Sequence, residues 1–154
     1  MRAVLQRVDA ATVIADGEMT GSIGKGLFVL LGVYENDTEQ DASLLAAKIA
    51  KLRIFSDAEG KQNLSVCDVD GDVLLVSNFT LCANYRHGNR PEYLAAAKPV
   101  EAERLYEFFG RELDRLLPRK TQRGRFGAHM SIETKCNGPI TIVMDSEVLK
   151  KSGK

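Results

Sequence analysis

The segment Leu27-Phe28-Val29-Leu30-Leu31-Gly32-Val33 is apolar on both faces, and it limits the fold more than any other stretch of the chain. A strand with one wet face alternates apolar and polar residues, so a run without alternation must be covered on both sides. The chain therefore needs a central strand with material packed above and below it. Val73-Leu74-Leu75-Val76 has the same character and reads as a second buried strand. With 154 residues and 44% hydrophobic content, the chain is long enough to build one such domain.

Around these strands the rest reads as α+β. Val4, Gln6 and Val8 alternate with Leu5, Arg7 and Asp9. Ala11 to Ala15 then runs into Asp16-Gly17, a strong hairpin signal with a return strand over about Glu18 to Ile23. Thr38, with Asp41 three residues on, predicts a helix start, and Ala42, Leu45, Ile49 and Leu52 recur at helical spacing. Arg53-Ile54-Phe55 reads as a short strand. A short helix is expected from Pro91 or Glu92 through Lys98. A longer helix starts at Pro99 and stops at Pro118, with Leu105, Phe108 or Phe109, Glu112 or Leu113, and Leu116 in its apolar stripe. Residues 121–127 read as irregular, and Met130 to Cys136 and Ile140 to Asp145 as two strands around Asn137-Gly138-Pro139. The expectation is one domain over residues 1–149, of mostly antiparallel curved sheets forming a barrel-like core with flanking helices, and a tail over 150–154 that frays.

Charge and motif content exclude several functions. Twenty-one Lys and Arg balance twenty-one Asp and Glu, which disfavours a protein that coats duplex nucleic acid through global positive charge. The longest apolar run, Leu27 to Leu31, is five residues, against ~20 for a membrane span, and the first residues lack the apolar stretch of a signal peptide. A soluble, cytoplasmic protein without membrane contact is expected. Three cysteines without a CxxC pair argue against a disulfide framework or a cysteine-rich zinc site. No metal and no cofactor is expected. There is no GxSxG elbow, Walker A sequence or HExxH. Gly21 to Gly26 is glycine-rich but joins two strands, so it reads as a hairpin turn and not as a phosphate cradle. Cys82 with His87 could form a thiolate pair, although a small buried hydrophobe and a loop histidine explain them more simply.

Two segments remain. A buried strand ends in Ser77-Asn78-Phe79-Thr80, where polar groups are costly unless they bind something or cap the strand end themselves. Asn137-Gly138-Pro139 reads as a hairpin turn, or as a tight corner in which proline can take a cis bond. Taken with Arg7 and with Phe126-Gly127-Ala128-His129-Met130, these segments make a recognisable set. The chain resembles the D-aminoacyl-tRNA deacylases over nearly its whole length. Gln6-Arg7-Val8, Gly24-Lys25-Gly26-Leu27, Leu31-Gly32-Val33, Arg53 to Lys61 and Asn63-Leu64 all fit that family's pattern. Its two signatures, Ser-Gln-Phe-Thr-Leu and Asn-x-Gly-Pro-Val-Thr, stand here as Ser77-Asn78-Phe79-Thr80-Leu81 and Cys136-Asn137-Gly138-Pro139-Ile140-Thr141. Asn78 replaces the family's Gln, Cys136 sits where Asn is usual, and Ile140 for Val is conservative.

The resemblance implies hydrolysis of the ester joining a D-amino acid, or glycine, to the terminal adenosine of tRNA, with L-aminoacyl esters rejected. Glycyl-tRNA mischarged on tRNA(Ala) belongs to the implied substrates. It further implies a homodimer with a cis Gly138–Pro139 bond reaching into the partner's pocket, facing Ser77, Phe79 and Thr80. Arg7 would brace that pair, with Asn78 and Asn137 beside it. Phe126 and Met130 would hold the adenine, where the alternative for both is core packing. Backbone N–H groups of Phe79 and Thr80 would stabilise the oxyanion, and Thr80 is the family's candidate nucleophile. Arg86, Arg90, Arg119, Lys120, Arg123 and Arg125 are expected to meet RNA phosphates, or simply to be solvated. The competing readings are a tRNA 3′-end binding protein and a stand-alone editing module. The editing module is disfavoured because no synthetase follows Lys154.

Overall fold

The computed structural model describes residues 1–151. Strand β1 (Arg2–Ala15) is the spine. Its first half pairs antiparallel with β3 (Gly26–Gly32), from Arg2↔Gly32 to Val8↔Gly26, and its second half with β2 (Glu18–Ile23), from Ala11↔Ile23 to Ala15↔Glu18. Asp16 and Gly17 make the β1–β2 turn with φ of 49° and 83°, the left-handed pair that a tight hairpin needs. The glycine-rich link is not a hairpin, because β2 and β3 do not pair with each other. Both lie along the same side of β1, and the link passes the ladder from one to the other.

From β3 the chain crosses over through helix α1 (Glu39–Lys51) and the small antiparallel pair β4 (Phe55–Ser56) and β5 (Gln62–Leu64). It returns as β6 (Asp72–Ser77), parallel to β3, as a crossover of this length permits. A 3₁₀ turn (Phe79–Cys82) follows, then helix α2 (Pro99–Leu116). The expected helix ahead of Pro99 is absent. Glu92 pairs instead with Asn84, and Ala96 with Tyr34, so this stretch is held extended against neighbouring chain. Residues 122–123, expected to be irregular, form β7 (Gln122–Arg123) parallel to β6. The sheet order is β2-β1-β3-β6-β7, with β8 on the other side of β1. The sheet curls until a Cβ at Gly21 on β2 would stand 3.3 Å from the Arg123 backbone on β7, which nearly closes the barrel.

The doubly apolar strands have the two cores they require. Leu27, Val29 and Leu31 of β3 and Val73 and Leu75 of β6 face α1 and α2, meeting Leu45, Ile49, Leu105 and Phe109. Phe28, Leu74 and Val76 face the other way and pack with Val8, Val13 and Ile23 inside the curled sheet. In α2 the buried stripe is Ala102, Leu105, Tyr106, Phe109 and Leu113, while Leu116 is 40% exposed.

Strand β8 (Met130–Asp145) departs from the hairpin expectation. Both of its halves pair with β1, from Arg2↔Asp145 to Gln6↔Thr141 and from Val8↔Cys136 to Ala15↔Met130. Residues 137–140 therefore stand opposite Arg7 alone. They form an extended bulge within one strand, not a reversal between two.

Helix α3 (Ser146–Lys151) takes in Lys150, which was expected in a frayed tail; residues 152–154 of that tail lie outside the described residues. Lys150 Nζ and Ser146 Oγ each donate to Asp41 Oδ1 at 2.7 Å. Asp41 Oδ2 accepts from the Thr38 N–H at 2.9 Å and the Thr38 hydroxyl at 2.8 Å. Burial alone would raise the Asp41 carboxyl, but the donors from Lys150, Ser146 and Thr38 outweigh it and hold the group well below the usual carboxylate range. Its contribution to stability is thus fully present above an unfolded carboxyl's pKa of ~3.9 and is lost as pH falls through that value toward the lower folded one. In urea titrations from pH 6 to pH 3, Asp41→Asn should be the less stable protein by about 3 kcal/mol at pH 6, because it leaves buried donors unmatched. The gap should narrow toward pH 3. Parallel curves would remove the Asp41 carboxylate from the acid response.

Among the described residues, no helix is long and apolar enough to cross a membrane.

Candidate active site

The parallel strand β6 ends at Ser77, and the chain must leave the sheet beside Gly32 and Leu31. The Asn78 N–H donates to Leu31 O at 2.8 Å, which extends the ladder by one bond before the chain turns. The 3₁₀ turn then rises from the sheet end. The Asn78 carboxamide serves as its cap: Oδ1 accepts from the Thr80 N–H at 3.2 Å and also from the Thr80 hydroxyl. The self-capping reading of this segment therefore holds. It does not exhaust the site, since the Phe79 N–H meets no acceptor among the described residues. The Phe79 ring is 58% exposed, with its edge against Tyr93 at 5.0 Å between centroids.

These residues form one wall of a cavity of about 960 Å³. Ser77, Asn78, Phe79 and Thr80 line it together with Phe126 and Met130, so six of the sequence candidates come together from two distant segments. Phe126 tilts against the buried Tyr106 at 5.8 Å, and Met130 packs on the inner core. Both residues therefore pack on the core and line the cavity. The Leu30, Val33 and Val76 floor is apolar, and the size suits a nucleoside with an attached amino acid. Sequence reasoning missed Tyr93, Leu94, Lys98 and Tyr106 as lining residues, and gave His129 no role although it stands in the 126–130 segment. Tyr106 sits on α2 beside the stripe named from its spacing, and the others sit on irregular chain where no periodicity marks a facing surface.

Among the described residues no base touches the Thr80 hydroxyl, whose hydrogen goes to the Asn78 amide oxygen. Burial pushes the Tyr106 phenol up, and its O–H donates to Leu75 O at 3.0 Å. The Cys82 thiol is also pushed up by burial and points at Val33 O, 3.5 Å away, which rules out an activated thiolate.

Arg7, Asn137, Gly138 and Pro139 assemble elsewhere. Arg7 fills the space beneath the β8 bulge. Its Nη2 donates to Asn137 Oδ1 at 2.8 Å, its Nε to Asn137 O at 3.2 Å and its Nη1 to Ile54 O at 2.8 Å. Asn137 Nδ2 in turn donates to Asp9 Oδ1 at 2.8 Å. The Gly138–Pro139 bond is cis and both residues are exposed. Gly138 has φ +132°, and a Cβ there would fall 2.7 Å from the Ile140 nitrogen, so only glycine fits. This bulge is not part of the large cavity's lining.

The basic residues divide in two. Arg119 is paired with Asp70 and Asp72, Arg123 with Glu107 and Asp114, and Arg125 with Glu18 and Asp16. Arg86, Arg90 and Lys120 have no carboxylate partner among the described residues.

Comparison with known proteins places the chain among relatives. The family model for D-Tyr-tRNA(Tyr) deacylase matches residues 4–145. The D-aminoacyl-tRNA deacylase of Thermosipho melanesiensis is 48% identical over 96% of this chain and 98% of its own. That of Dehalococcoides mccartyi is 53% identical over 95% of each. A solved structure described as c-Myc DNA Unwinding Element Binding Protein superposes with a TM-score of 0.89 at 37% identity, covering 94% of this chain and 98% of that one. A second, a probable eukaryotic D-amino acid tRNA deacylase, shares the fold with a TM-score of 0.80 at 16% identity, covering 94% and 98%. The two signature segments, the capped turn over the cavity and the match over nearly the whole length lead to one assignment: the chain belongs to the D-Tyr-tRNA(Tyr) deacylase family and is a hydrolase of the D-aminoacyl-tRNA deacylase class.

Proposed function

We propose that the chain edits D-aminoacyl-tRNA as a homodimer, in which the Gly138–Pro139 bulge of each protomer closes the other's cavity. The observation that carries this reading is the separation of the two signature segments. The cavity lining holds Ser77, Phe79 and Thr80 but not Gly138 or Pro139, which lie exposed on a bulge braced by Arg7. Two such halves complete each other when two copies meet around a twofold axis.

The wall would act by exclusion. Backbone carbonyls beside the α-carbon leave no room for an L side chain, whereas a D side chain projects away. Glycine has no side chain to exclude, so glycyl-tRNA mischarged on tRNA(Ala) would also be hydrolysed. Phe126 and Met130 would seat the terminal adenine. In this chain the Phe79 N–H is the free oxyanion donor, because Asn78 occupies the Thr80 N–H. The ester is activated already, and the ribose 2′-hydroxyl can orient the attacking water, so no side-chain base, metal or cofactor enters the scheme. Such editing belongs to the cytoplasm, where aminoacyl-tRNA is made and used.

Purified protein should turn over D-Tyr-tRNA and leave L-Tyr-tRNA intact, with or without chelator. A tRNA 3′-end binding protein would protect both esters, and this outcome would replace the enzymatic reading. Thr80→Ala should keep activity within about tenfold, since the hydroxyl is a donor to Asn78 and not an activated nucleophile. A loss on the order of a thousandfold, together with a trapped acyl-enzyme on the wild type, would restore Thr80 as nucleophile.

A further inference from the structure

Of the six loop residues expected to meet RNA phosphates, three are consumed by carboxylates, and Lys120 lies beyond the far end of α2. That helix has eighteen residues, so its far end at Leu116 stands about 26 Å along the axis from Pro99 at the cavity edge. Arg86 and Arg90 remain, both exposed and both on the short arm 85–91, which contains no acidic residue. The arm is anchored at its base. Asn84 and Glu92 exchange backbone hydrogen bonds, each 2.9 Å, and Asn84 Nδ2 donates to Glu92 Oε1 at 2.6 Å. The other Glu92 oxygen accepts the Leu94 N–H at 2.9 Å, so the nearest carboxylate is fully engaged and does not neutralise the arginines. The chain enters this arm directly from the 3₁₀ turn and leaves it into Tyr93, whose ring meets Phe79. Both ends of the arm are therefore tied to the candidate active site, and its seven residues allow its tip a reach of at most about 10 Å from that base.

We propose that the arm 85–91 grips backbone phosphates of the RNA strand whose terminal nucleotide enters the cavity, through Arg86 and Arg90. This rests on the editing reading above and adds to it the residues that let a chain of zero net charge hold a polyanion. Two unpaired guanidiniums on a fixed base supply local positive charge beside the cavity, and guanidinium forks match phosphate oxygens. The arginines on the opposite segment do not contribute, because carboxylates already saturate them.

The test uses the full-length protein and two substrates, D-Tyr-tRNA and D-tyrosyl-adenosine, which carries the same ester and no phosphate. In the double variant R86A/R90A, the ratio of kcat/KM for tRNA over adenosine ester should fall about tenfold at ~0.1 M salt, through KM. The slope of log kcat/KM for tRNA against log salt should flatten by about 1.4, near 0.7 for each single-strand phosphate that the arm no longer neutralises. Arg119→Ala should leave both the ratio and the slope at wild-type values. Equal losses on the two substrates would mean that the arm merely props Tyr93 and Phe79, and would overturn the proposal. So would an unchanged salt slope in the double variant. Failure of the wild type on both substrates would instead strike the editing reading itself.

Discussion

Replacing Gly138 with alanine should slow hydrolysis of D-aminoacyl-tRNA about a hundredfold without making L-aminoacyl-tRNA a substrate. The backbone at Gly138 has φ +132°, a region that L side chains rarely enter, and the new Cβ would lie 2.7 Å from the Ile140 nitrogen. The bulge must therefore shift. Arg7 holds it at Asn137 O and Oδ1, so the displacement appears at residues 138–140 and not along the whole strand. If these residues form the chiral wall, the shift misplaces the surface beside the reacting ester, and a displacement of about 1 Å is enough to cost on the order of a hundredfold. The change adds bulk and removes none, so it opens no room for an L side chain. Matched D- and L-Tyr-tRNA time courses on a variant with wild-type urea stability provide the measurement. Hydrolysis of the L-ester at the wild-type D rate would show that steric exclusion is not the selectivity device.

Two strongly impaired variants should rescue each other. Gly138→Ala destroys the wall, and Phe79→Pro destroys the pocket by removing the free amide donor. Phe79 is the first residue of its 3₁₀ turn and follows Asn78 in an extended conformation (φ −148°, ψ 92°), so the backbone accommodates proline there. Loss of one oxyanion donor costs about 2.7–4 kcal/mol in the barrier. When the two variants are unfolded and refolded together at equal concentration, random pairing makes about half the dimers heterodimers. In each heterodimer one site carries both lesions, and the other combines an intact wall with an intact pocket. About a quarter of wild-type activity should return, as an order-of-magnitude figure. A site built within one chain leaves a lesion in every site and gives no recovery. No gain in activity by a mixture in which heterodimers are demonstrated by mass would refute the shared site.

The doubly apolar strands were legible because burial on both faces removes the alternation that a wet face imposes. The cores on either side of Phe28–Val29 and Leu74–Leu75 follow from that one fact. The Thr38–Asp41 helix start and the Asp16-Gly17 turn were legible for a similar reason, since each is decided by hydrogen bonds or backbone angles within a few residues. The helix expected before Pro99 failed because the partners of that stretch, Asn84 and Tyr34, lie outside it along the chain, and their backbone pairing outweighs local preference. The β8 bulge failed as a hairpin for the same reason: a turn residue set such as Asn137-Gly138-Pro139 permits either outcome, and the choice belongs to β1, which pairs with both flanks. The signature segments identified the family from the sequence alone and named the 77–80 turn that lines the cavity, but not its other wall at Tyr93, Leu94 and Lys98. Tertiary structure alone separated the pocket from the exposed bulge. It also directed the Thr80 hydroxyl to Asn78 and neutralised Arg119, Arg123 and Arg125 while leaving Arg86 and Arg90 free. Each of these depends on which distant groups come within a few ångströms, and residue type and spacing carry no such information.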